Sequence, residues 1–183
     1  MSESNLSTAR VSITSRRQTI TGVSLALGSL AAGSRAWGKA LRQAMEEKPG
    51  TAANRMRTSL HMDVVIRAGA QRIYEALLDA KQFAAFSGLP ADIDPKPGGA
   101  FFMFKGQIAG RNVELIPSRR IVQAWRPTHW DSGIYSIVRF ELKPQSSGTT
   151  IVLDHTGFPE GEFDHLESGW HAHYFEPLNK FFA

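Results

Sequence analysis

Two titratable side chains, Glu114 and His155, stand in strand-like segments where they could face an enclosed space. Asn112 and Glu114 share their parity with Ile108 and Gly110, so a regular strand would turn all four to one side. A carboxyl buried there has a raised pKa, which suits general acid or base work. His155 and Arg126 are further polar groups at strand ends that would converge on the same space. The plainer alternative is that Glu114 faces solvent or pairs with Arg126 or Arg111.

Other chemistries find less support. Of the 6 histidines, His171 and His173 lie two apart in a helical pattern and so point to roughly opposite faces, and no His and Glu take a ligand spacing such as H-E-x-x-H. The histidines therefore read as surface or capping residues, and neither a metal nor a cofactor is expected. With 0 Cys, disulfides, thiol catalysis and thiolate metal sites are excluded. The string nearest to G-x-S-x-G, Gly22-Val23-Ser24-Leu25-Ala26, departs at its last place and falls in an N-terminal apolar run. The aromatics Phe102, Phe104, Trp125, Phe140, Trp170 and Tyr174 are the remaining candidates. Each alone reads as core; together they suit the lining of an apolar pocket with a few polar groups.

These residues must be positioned by strands and one helix. Leu60, Met62, Val64 and Ile66 alternate with His61, Asp63, Val65 and Arg67, giving a strand with one apolar face that Gly69 ends. Ala70 to Leu78 and Lys81 to Phe86 read as two short helices, and Leu89 to Gly99, with Pro90, Pro95 and Pro97, as a turn-rich crossing. Ala100, Phe102 and Phe104 are then expected to share one strand face. Further strands are expected over Ile108 to Ile116, Arg120 to Arg126, Ile134 to Lys143 and Thr149 to Thr156, for about six in all, mostly one antiparallel meander. Leu166, Trp170, Tyr174, Leu178 and Phe181 form one stripe of a long last helix, which Pro177 should kink. So wide an aromatic stripe must lie on something apolar, and the concave face of the meander is available.

The charge belongs to one end. Residues 1–57 hold 9 Lys+Arg against 3 Asp+Glu, whereas residues 58–183 hold 12 against 14, so the folded part is slightly acidic and nucleic acid is not an expected partner. Within the basic end, Ser15-Arg16-Arg17-Gln18-Thr19-Ile20 precedes the apolar run Thr21 to Ala32 and then Ser34-Arg35-Ala36. This resembles a twin-arginine export signal with small residues suited to signal peptidase after a basic region held at the anionic membrane face. Thr19 stands where such signals usually carry Phe, and the Lys after the apolar residue is missing. The alternative is an amphipathic or disordered extension. The expected organisation is a leader over 1–36, a linker over 37–57 and one domain over 58–183. Export would place the domain in the periplasm, with membrane contact through the leader only; without a functional leader it would be cytoplasmic.

The order strand, two short helices, meander and long helix resembles the α+β helix-grip fold of the START-like, or SRPBCC, superfamily. The wording is similar to its branch of homologues of the activator of the heat-shock protein 90 ATPase. The matching stretches are Pro97-Gly98-Gly99 with Phe102 and Phe104, Gly110 with Glu114, Ile121-Val122-Gln123-Ala124-Trp125-Arg126, Phe140 with Leu142, Thr149 with Leu153, His155 and Thr156, and Gly169-Trp170. The resemblance implies a curved sheet wrapped around the last helix, with a cavity between them. Three functions are compatible with it: binding of a small apolar or amphipathic ligand in that cavity, binding to a heat-shock ATPase, or catalysis of the cyclase, dehydratase or hydrolase type through Glu114 or His155. The first is the leading expectation, with Phe102, Phe104, Glu114, Trp125, Phe140, His155, Trp170 and Tyr174 as contact residues and no catalytic residue assigned.

Overall fold

The computed structural model describes residues 53–183, so the expected leader and most of the linker lie outside the described residues. Seven strands form one antiparallel sheet in the order β1-β7-β6-β5-β4-β3-β2. They are β1 (Ser59–Ile66), β2 (Asp92–Ile93), β3 (Ala100–Met103), β4 (Ile108–Ile116), β5 (Arg120–Pro127), β6 (Ser136–Gln145) and β7 (Gly148–Thr156). Between β1 and β2 run α1 (Ala70–Leu78) and α2 (Ala80–Ser87). The last element is one helical rod built from α3 (Phe163–Gly169), a π-helical turn (Trp170–Phe175) and α4 (Glu176–Phe181).

The alternating patterns place the sheet's inner face where expected. Leu60, Met62 and Ile66 of β1, Val138, Phe140 and Leu142 of β6, and Ile151 and Leu153 of β7 are all buried. The helices follow from local chemistry. Asp79 ends α1 and starts α2, its carboxylate accepting the Gln82 amide N–H at 2.9 Å, and Gly88 closes α2 at φ +75°, a backbone region that favours glycine. The linker's last residues belong to the domain: the Gly161 N–H donates to the Arg55 carbonyl at 2.8 Å, and the Arg57 guanidinium lies 3.7 Å over the Phe163 ring.

Three expectations are corrected. The crossing from Leu89 to Gly99 contains β2, which raises the strand count to seven; two residues between prolines are too few to show a period. In β3 the buried residues are Phe101 and Met103, whereas Phe102 is 51% exposed on the outer side. Phe104 is nonetheless buried, because Phe104 and Lys105 adopt φ of +52° and +58° and reverse the chain after the strand ends. In β4 a bulge falls between Asn112 and Glu114, so Glu114 opposes outward Val122 while Asn112 opposes buried Gln123. Glu114 therefore leaves the inner face and pairs with Arg120 at 3.3 Å, neither of the partners expected for it.

The rod departs from expectation at Pro177. Proline has no N–H to give and its ring clashes with the carbonyl four residues back. Here the preceding turn is widened, with the Glu176 N–H donating to the His171 carbonyl, so the strain is absorbed as a π turn. The extra residue brings Tyr174 and its neighbour Phe175 both inside and leaves Phe181 39% exposed.

Gly110 sits across from Phe101 in the β3–β4 register. A Cβ there would run into the Ala124 carbonyl oxygen and the Phe101 ring, and the backbone atom cannot step aside. Gly110→Ala should lower stability by about 1–3 kcal/mol in denaturant unfolding, the usual range for overpacking a core.

Candidate functional site

Between the rod and the inner ends of β4 and β5 lies a cavity of about 430 Å³. Phe104, Ile108 and Trp125 line its sheet side, and Trp170, His173 and Tyr174 its helix side. Trp125 and Trp170 stack at 5.4 Å between centroids with 24° between planes, and Trp170 meets Tyr174 at 4.4 Å. The walls are thus rigid aromatic plates that keep little rotamer freedom.

Of the sequence-derived residues, Phe104, Trp125, Trp170 and Tyr174 line this space. Phe140 lies behind it, edge-on to Trp170 at 5.6 Å. Phe102 and Glu114 are on the outer face and His155 is sealed in the core, so these three are not at the cavity. The sequence reading missed His129 and His165, which stand at the cavity's rim.

His155 has a structural task. It is fully buried, and the Trp170 Nε1–H donates to its Nδ1 at 3.1 Å. Because an indole N–H can only donate, Nδ1 is the bare nitrogen, and Nε2–H donates to Ser136 Oγ at 2.7 Å. Ser136 in turn donates to the Trp125 carbonyl at 3.0 Å. The relay joins the rod to β7, β6 and β5 with no spare donor or acceptor for general acid–base work. Burial pushes the imidazole down to about 3, which keeps it neutral.

Within the cavity, burial pushes the Tyr174 hydroxyl well above its ordinary value, an effect the Trp125 indole opposes. The hydroxyl donates to Met103 Sδ at 3.3 Å. The Trp125 N–H leans toward Tyr174 without meeting hydrogen-bond geometry, and is buried with no partner among the described residues. Asn112 and Gln123 are a second buried polar group, joined at 3.0 Å; Asn112 also donates to the Asp94 carbonyl at 2.9 Å and so pins the β2–β3 crossing.

The outer face carries a ladder of ion pairs across five strands. Glu114 meets Arg120, Arg120 meets Glu141 at 3.0 Å, Arg139 meets Asp154 at 2.6 Å, and Asp154 meets His61 at 2.7 Å. Partial burial would raise the Asp154 carboxyl, but the hydrogen bonds from His61 and Arg139 outweigh it and hold the group below its ordinary value.

The curved antiparallel sheet gripping a C-terminal helix defines a domain of the helix-grip, START-like class. Within that class the chain belongs to the family of Activator of Hsp90 ATPase homolog 1-like proteins, whose sequence profile matches residues 67–183. An uncharacterized Schizosaccharomyces pombe protein is 32% identical over 116 residues, covering 63% of this chain and 34% of that protein. The human Activator of 90 kDa heat shock protein ATPase homolog 1 is 26% identical over 113 residues, 62% of this chain and 33% of its own. The chain thus spans about a third of the length of these curated relatives. Among solved structures, an HSP90 activator from Plasmodium falciparum superposes with a TM-score of 0.65 at 24% identity, covering 68% of this chain and 95% of that one, a likeness of fold.

The relay sets a pH dependence. The unfolded chain takes up a proton on His155 near 6.5 and the folded chain does not until about 3, so stability is full above 6.5 and falls as pH drops below it. Between pH 7 and pH 5 the wild type should lose about 2 kcal/mol more than His155→Gln, which has no proton to bind there. Parallel stability curves for the two would refute this.

Proposed function

We propose that this domain binds a small apolar or amphipathic molecule, held between Trp125 on the sheet and Trp170 and Tyr174 on the rod. The observation that carries the reading is the cavity of about 430 Å³ walled by the Trp125, Trp170 and Tyr174 rings. That volume is within the roughly 300–1,000 Å³ of small-molecule sites. Catalysis through Glu114 or His155 loses its footing, since the first is outside and the second is committed to the relay.

A second reading rests on the relatives. Proteins named as activators of the 90 kDa heat shock ATPase share this domain, so binding to such an ATPase is proposed as the alternative, with the outer ion-pair ladder as the surface available to it. The twin-arginine-like leader favours the ligand-binding reading, because export would separate the domain from an ATPase that works on cytosolic nucleotide.

Native mass spectrometry of the full chain purified from its own compartment should show excess mass that disappears on denaturation and yields a defined organic molecule. Anilinonaphthalene sulfonate, an amphipathic probe, should quench the emission of Trp125 and Trp170, and Trp125→Ala, which removes one aromatic plate of the wall, should weaken its binding about tenfold. A clean apo mass with no saturable probe binding would reject the reading. Stimulation of the heat-shock ATPase by the domain, abolished in Arg139→Glu, would instead establish the second.

A further inference from the structure

His129, Glu162 and His165 come from two separate segments and converge at the rim of the cavity. One ligand atom from each can be chosen so that all three lie within 4.8 Å of one another. His129 Nε2 stands 3.4 Å from Glu162 Oε2. That is close to the edge of a tetrahedron with zinc bonds of about 2.0–2.1 Å, which is about 3.3 Å. The His129 and His165 rings face each other edge to plane at 5.8 Å and 87°, so a small side-chain rotation brings the third donor to the same point.

The backbone holds these side chains from both sides. Glu162 precedes α3 and His165 sits in its first turn, an E-x-x-H spacing that puts both on one helical face, as in carboxylate-histidine metal sites of helical bundles. Phe163, buried under Arg57, fixes that turn, and the Ser168 hydroxyl donates to the His165 carbonyl at 3.0 Å. His129 is held between Thr128, which donates twice to the Gln107 carbonyl, and Trp130, which is buried. Three donors carried on a fixed backbone need only side-chain rotation to close around an ion.

We infer that His129, Glu162 and His165 form a binding site for a divalent transition metal of the zinc type. Two imidazoles and one carboxylate are the donor set such ions favour over magnesium or calcium, and three protein ligands leave a coordination position open. His129 and His165 also line the cavity, so that open position lies beside the proposed ligand space. An oxygen donor on a bound molecule could complete the shell.

The test uses the untagged full chain and the metal alone, so its outcome is independent of any organic ligand. Cobalt(II) titration followed by visible absorption, with zinc competition by calorimetry, should give one saturable ion per chain. His129→Ala and His165→Ala should each raise the dissociation constant at least tenfold, whereas His171→Ala, an exposed change further along the rod, should not. In the wild-type chain, cobalt should shift and broaden the imidazole NMR signals of His129 and His165 and spare that of His61, a readout that needs no variant to fold. Absence of saturable binding, or binding that follows His171 or His61, would overturn the site.

Discussion

The hydrogen-bond relay from Trp170 through His155 and Ser136 to the Trp125 carbonyl is the constraint on which the arrangement depends. A helix laid on an apolar sheet can slide and rotate at small cost, because hydrophobic contact is non-directional. Directional bonds remove that freedom. Each member of the relay has one remaining role once its neighbour is placed, so the tautomer of His155, the rotamer of Ser136 and the azimuth of the rod are set together. The two stacked tryptophans then stand at the junction of rod and sheet, and the cavity opens beside them.

The rod's local chemistry completes the picture. A regular α-helix through Pro177 would have carried the stripe of Leu166, Trp170 and Tyr174 straight on to Phe181. The π turn inserts one residue, so Phe175 joins the core, while at the end of the rod Phe181 meets Phe86 of α2 at 6.4 Å and Arg72 of α1 lies 4.8 Å over Phe182. Sheet curvature has a comparable local source. The bulge at Asn112 and Glu114 and the left-handed turn at Phe104 and Lys105 each reverse the facing of one stretch, and together they separate a polar outer ladder from an aromatic interior.

What could be read from the sequence follows this division. Period-two alternation named the buried residues of β1 and β6, and the aromatic stripe named Leu166, Trp170 and Tyr174, because regular geometry maps spacing onto facing. The failures occur where geometry stops being regular. Parity grouped Phe102 with Phe104 and left Glu114 open between the cavity and the solvent; β3 instead turns Phe101 and Met103 inward, and a bulge gives Glu114 the outer place. His155 read as a polar group near a pocket, and nothing in its neighbours' identities shows that Trp170 and Ser136 consume both its nitrogens. The E-x-x-H of Glu162 and His165 was passed over, because two donors alone mark no site and the third, His129, arrives from a loop 33 residues earlier. Only the tertiary fold brings it there.

The central claim is that the space beside Trp125 and Trp170 receives a small molecule, and isotope-filtered NOE spectroscopy on the full chain purified with its native ligand tests it most directly. The account predicts intermolecular contacts from ligand protons to Trp125, Trp170 and Tyr174. Contacts confined to the outer face of the sheet would contradict it.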